Sequence, residues 1–108
     1  MKKAAKTGLN RFRKIPGSGS PQSFESEENG RKVQILWREV PGLYQLVATL
    51  ASTTGEHLAL SLSEALKKAE AFLNTGELEI RDEPDWDGWR PKGWFDRSLA
   101  IAEAKHAR

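Results

Sequence analysis

Apolar residues recur in two rhythms along this chain, and the change of rhythm divides it into sheet and helix. Val33, Ile35 and Trp37 alternate with Gln34, Leu36 and Arg38, the period-two pattern of a half-buried strand with β-branched and aromatic content. Pro41-Gly42 marks a turn, after which Tyr44, Leu46, Ala48 and Leu50 share one face of a second strand. Pro-Gly suits a type II turn better than the primed turns of two-residue hairpins, so a loop of about four residues is expected. Ser52-Thr-Thr-Gly55 reads as the next turn, and Leu58, Leu60 and Leu62 at period two predict a third strand over residues 57–62.

At Ser61 the period lengthens. Ser61 and Glu64 have capping-box spacing, in which each side chain satisfies a backbone N–H near the other. Leu62, Leu66, Ala69 and Leu73 then recur at i, i+4, i+7 and i+11, Ala65 and Phe72 widen the stripe, and Lys67, Lys68 and Glu70 lie off it. Asn74-Thr75-Gly76 supplies a helix stop. Leu78 and Ile80 on one face predict a short strand over residues 77–81. Asp96 is expected to cap a final short helix carrying Leu99, Ala100, Ile101, Ala102 and Ala104, with His106 and Arg108 near its end to favour the helix dipole. The fold class is therefore α+β: a small antiparallel β-meander of three to four strands, one main helix packed on one face, and a short C-terminal helix.

Ahead of Arg31 neither rhythm is found. Leu9, Phe12, Ile15 and Phe24 share no period, Pro16-Gly-Ser-Gly-Ser-Pro21 has linker composition, and residues 23–30 add a polar acidic run. Residues 1–30 are expected to be a disordered basic arm and linker, and residues 31–108 a single domain near the small end of what folds without staples.

Composition changes this picture in three ways. With no cysteine among 108 residues, disulfides and thiolate metal sites are excluded, which suits a reducing, cytoplasmic setting. No apolar run approaches the ~18 residues of a membrane span, so no membrane partner is expected. The acid-free start also fits an organelle transit peptide, but it lacks a clear amphipathic helix. The net charge of +2 conceals a split. Residues 1–14 hold Lys2, Lys3, Lys6, Arg11, Arg13 and Lys14 and no acid; of the 17 basic residues this leaves 11 to face all 15 acids, so the remainder is net −4. Any nucleic-acid affinity must come from the arm or a local patch, not from the body.

The meander followed by Leu62-Ser-Glu-Ala-Leu-Lys-Lys-Ala-Glu-Ala-Phe-Leu73 resembles the small HicB-like antitoxin domain over residues 33–73. That family has two or three strands and then a helix opening on a Thr/Ser-x-Glu-Glu-Ala-Leu-like run. The resemblance implies the meander-plus-helix topology. Here the family's Gly-rich turn before the helix is replaced by Glu56-His-Leu-Ala-Leu60, and no DNA-binding appendage follows. Single-strand-binding coactivator folds, a curved antiparallel sheet with one helix, look about as similar.

Catalytic chemistry has little to draw on, and the chain is expected not to be an enzyme. Only His57 and His106 titrate near neutrality, and His57 reads as an exposed loop residue beside Glu56. Glu83-Pro-Asp85-Trp-Asp87-Gly88 mimics the start of an EF-hand loop, but the twelfth position is Trp94 and Pro84 sits inside, so no metal site is expected. No phosphate-cradling glycine run opens a helix, and no cofactor is expected. The acids at 77, 79, 82, 83, 85 and 87 read as a solvated edge that protects a short strand.

Trp86, Trp89 and Trp94 fall within nine residues, interleaved with Arg90 and Lys92. Such a segment can cover the open face of a small sheet, anchor a protein interface, or stack bases beside phosphate-binding cations. The leading expectation is a nucleic-acid-associated accessory or regulatory protein, attached through Lys2, Lys3, Lys6, Arg11, Arg13 and Lys14, with Trp89, Arg90, Lys92 and Trp94 as a second contact. The alternative is an antitoxin-like or inhibitor-like protein-interaction module using Trp86, Trp89, Trp94 and the acidic edge. A homodimer pairing strand edges is compatible with either.

Overall fold

Period-two alternation forms strands here even where the alternating residues are mostly polar, so the sheet begins well before Val33. The computed structural model describes residues 8–17 and 23–106. A 3-10 helix (Gly8–Arg11) leads into β1 (Arg13–Lys14), β2 (Phe24–Glu28), β3 (Arg31–Arg38), β4 (Leu43–Leu50) and β5 (Thr53–Ala59). Helix α1 (Leu62–Thr75), strand β6 (Arg90–Pro91) and helix α2 (Trp94–His106) follow. The six strands form one antiparallel sheet in chain order. The class is α+β as expected, but with six strands rather than three to four.

The extra strands correct the expected boundary at residue 30. Asn29-Gly30, both at positive φ (51° and 78°), closes a two-residue hairpin of the primed kind, and β2 pairs with β3 from Glu28↔Arg31 to Phe24↔Ile35. Phe24 and Ser26 are buried and Glu25 and Glu27 point to the other face, so the acidic run is a strand whose polarity hides its period. Phe12 is buried as well, and Ile15 N–H donates to the Ser23 carbonyl at 2.9 Å. Residues 18–22 of the predicted linker, and Lys2, Lys3 and Lys6 of the predicted arm, lie outside the described residues.

One face of the sheet carries the core. Val33, Ile35, Leu46, Ala48 and Ala59 are fully buried against Ala65, Ala69, Phe72 and Leu73 of α1. Burying each large side chain is worth roughly 1.5–3 kcal/mol, more than any exposed ion pair in the chain can supply. Ser61 caps the helix as the spacing predicts, its Oγ accepting from Glu64 N–H at 3.1 Å, and Glu64 Oε2 reaches back to Leu60 N–H at 3.4 Å, one residue before the cap. At the other end Gly76 N–H donates to the Phe72 carbonyl, and Arg31 Nη1 reaches the Leu73 carbonyl at 2.7 Å.

Three expectations shift. The β4–β5 turn is Ala51-Ser52, so residues 53–55 lie in β5. With Gly55, His57 and Ala59 facing α1 and Leu60 exposed, His57 is a buried strand residue and not a loop one. The leucines at period two are in the opposite phase to the core. Residues 77–81 form no strand but a single parallel bridge, Ile80↔Trp89. The β3–β4 connection is the expected four residues, 39–42. Among the described residues no helix is long and apolar enough to cross a membrane.

Candidate functional site

The segment from Glu77 to Trp94 runs from the end of α1 back along β5, and its three tryptophans take different roles. Trp89 enters the core rim, edge-on to His57 (centroids 5.6 Å apart) and to Phe72 (5.9 Å). Its carbonyl accepts from Arg81 N–H at 3.0 Å and from Trp86 Nε1 at 2.9 Å, so the two indoles are locked together. Gly88 is required there, because a Cβ would lie 2.4 Å from the Trp86 ring. Trp86 is half-buried, with the Arg81 guanidinium 4.4 Å above it; that guanidinium also pairs with Glu79 at 2.5 Å. Trp94 opens α2, half-buried, with Arg90 at 5.4 Å from its ring.

Arg90 serves the loop itself. Nη1 donates to the Glu83 carbonyl at 2.5 Å and Nη2 to the Trp86 carbonyl, which closes the acidic turn. Of the predicted basic pair, Lys92 alone is exposed.

Glu56, which no local pattern singles out, fixes the end of this segment. It is 6 % exposed, and its carboxylate accepts from the N–H groups of Gly93 and Phe95, each at 2.8 Å. A buried carboxylate at a helix N-terminus is stabilised by the orphan amides and the dipole. This replaces the expected Asp96 cap; Asp96 pairs instead with Arg38 at 3.4 Å, while Arg38 also lies over the Phe95 ring and donates to Gln45. The second face of the sheet is thereby closed over Gln45 and Glu56 by Phe95.

The arm's arginines are committed locally. Arg11 holds Glu28 through two bonds of 2.7 and 2.8 Å and lies 3.6 Å from Glu70 on α1. The Glu28 carboxylate raises the Arg11 pKa and is itself lowered by Arg11. Arg13 pairs with Glu25 at 2.5 Å, and Glu25 is held below the ordinary carboxylate range first by Gln34 and then by Arg13. Lys14 is exposed on β1. The predicted phosphate contacts thus separate: Arg11 and Arg13 strap the start of the described chain to β2 and α1, and Lys14 faces solvent. A cleft of about 460 Å³ beside them is walled by Arg11, Arg13, Glu25 and Glu28, which already neutralise one another.

His57 is turned inward for structural reasons. Its Nδ1 accepts from Leu58 N–H at 2.8 Å, and Lys68 Nζ donates to the Leu58 carbonyl at 2.9 Å. Burial, then the Lys68 charge, hold the imidazole below its ordinary pKa, opposed by Asp87. Among the described residues no three metal-ligating side chains gather.

Between α1 and the tryptophan loop lies a second cleft, of about 250 Å³, walled by Phe72, Trp86 and Trp89 with Glu77 and Glu79 at its rim. It is the place where the loop's aromatic and acidic residues meet open space. No family model, curated protein or solved structure matches this chain.

Proposed function

We propose that this chain is a non-enzymatic protein-interaction module, antitoxin-like or inhibitor-like, whose contact surface is the tryptophan loop and its acidic rim. The observation that carries this reading is the cleft walled by Phe72, Trp86 and Trp89 within a loop whose acids at 77, 79, 82, 83, 85 and 87 are all exposed. Half-buried indoles surrounded by charge are the composition of interface anchors. The same acids repel phosphate, and the commitment of Arg11, Arg13 and Arg90 to carboxylates and carbonyls weakens the nucleic-acid reading.

The test begins with the full chain used as bait in a lysate of its source, after which the captured protein is identified, purified and titrated. Trp86→Ala is expected to weaken that defined complex at least about tenfold without lowering the melting temperature by more than a few degrees. The opposing result is binding to duplex or single-stranded nucleic acid with a salt slope of about four counterions, as Lys2, Lys3, Lys6 and Lys14 acting together would give. That slope, unchanged by Trp86→Ala, would return the function to the arm.

A further inference from the structure

The cleft between α1 and the tryptophan loop has a defined chemical preference. Its accessible walls are the half-buried indoles of Trp86 and Trp89, whose faces carry negative electrostatic potential, and Phe72, 1 % exposed, lies beneath them in the core. Glu77 and Glu79 stand exposed at the rim. Lys68, the cation on the opposite wall, is occupied: its ammonium donates to the Leu58 carbonyl at 2.9 Å and pairs with Glu64 at 2.9 Å. Around the cleft Asp82, Glu83, Asp85 and Asp87 are exposed too, and such a field concentrates cations and repels anions.

The molecule also displays a worked instance of the contact. Arg81 places its guanidinium 4.4 Å over Trp86 while Nε and Nη2 hold Glu79 at 2.8 and 2.5 Å. An indole face with an adjoining carboxylate therefore holds a cation beside the cleft, supplied by the chain itself.

We infer that the cleft receives one cationic side chain, arginine or lysine, from an extended basic segment of a partner protein. The inference rests on the interaction-module reading and names the chemistry of its partner. The aliphatic stem of the side chain lies along Trp86 and Trp89, and its charged head meets Glu77 at the rim, with Glu79 shared with Arg81. The flanking acids raise the encounter rate and make it dependent on salt.

The experiment titrates the full chain with a short Gly/Ser peptide carrying arginines, and with matched peptides carrying leucine or glutamate in their place. Binding is followed by the indole N–H resonances of Trp86 and Trp89. The arginine peptide is expected to shift both resonances, with affinity falling about tenfold between roughly 50 and 300 mM salt and about tenfold again in Glu77→Gln. Glu79→Gln, which also frees Arg81 to compete for the ring, is a second variant with the same expected loss. Undiminished binding by both variants overturns the cationic occupant. If the leucine peptide shifts the two rings and the arginine peptide does not, the inference fails while the interaction module stands. If both peptides leave the rings unmoved and Trp86→Ala also leaves the native complex intact, the module reading fails with it. Self-association at low salt that fills the cleft with the basic segment of a second copy would replace the partner protein as occupant and overturn the proposal.

Discussion

At one edge of the sheet β1 is held by arginine–carboxylate pairs; at the other, β6 is held by a core indole, a buried carboxylate and a guanidinium spread over backbone carbonyls. The Arg13 side chain is 78 % exposed, so its pair with Glu25 competes with water and salt. Glu56, 6 % exposed, works where water is scarce and accepts from the Gly93 and Phe95 amides, while Trp89 packs partly buried against the core. Buried Phe12 anchors the N-terminal edge and the exposed charge pairs add to it reversibly, whereas at the other edge a buried carboxylate is itself part of the fastening.

The largest effect is expected at Trp89. Trp89→Ala empties the space beside Phe72 and His57 and is expected to cost about 2–3 kcal/mol in denaturant unfolding; a cost under about 1 kcal/mol would mean the loop is an ornament on the core. Glu56→Gln keeps the shape but weakens the cap on Gly93 and Phe95. We expect a loss of about 1–2 kcal/mol and faster hydrogen exchange at the Phe95 amide, with the β1–β2 amides unchanged.

Acid separates the two edges by pH window. His57 is depressed below 6.5 in the fold, so unfolding takes up a proton. Stability is complete above about 6.5 and falls as pH drops through that value toward the folded pKa. Glu25 and Glu28 are depressed below 4.5, so their contribution is present above about 4.5 and is lost as pH falls through their lower folded values. An unfolding-stability profile should therefore show two acid limbs. His57→Gln is expected to flatten the upper one and leave the lower; equal flattening of both would remove the assignment. The smallest effect belongs to Arg13→Gln, a few tenths of a kcal/mol that about 1 M salt should abolish.

What was legible in the sequence is what local chemistry determines. The cap at Ser61 and the alternation in β3 and β4 are short-range patterns, and they formed where expected. Asn29-Gly30 was an equally local hairpin signal, but the acids flanking it gave the segment the look of a solvated linker. The phase of β5 could not be read from its leucines, because Gly55 and His57 lie on the core face, where Leu78, Ile80 and Trp89 pack over Gly55 and Trp89 meets His57. Likewise, Glu56 reaches amides 37 and 39 residues away, a distance at which spacing carries no signal. Of the candidate site, the tryptophan cluster and acidic run were visible; that Trp89 would pack against the core and join Trp86 in walling a cleft depended on tertiary packing beside Phe72.

The double capture of Leu58, its N–H by the imidazole of His57 and its carbonyl by the ammonium of Lys68, bears on how the protein behaves in company. Past the two residues that β6 covers, β5 would otherwise offer a neighbouring molecule a ladder to extend. With both rungs at Leu58 already taken by side chains, a concentrated solution finds no template there for ribbon growth. Loss of Lys68 would then show itself as turbidity on storage well before any change in folding free energy.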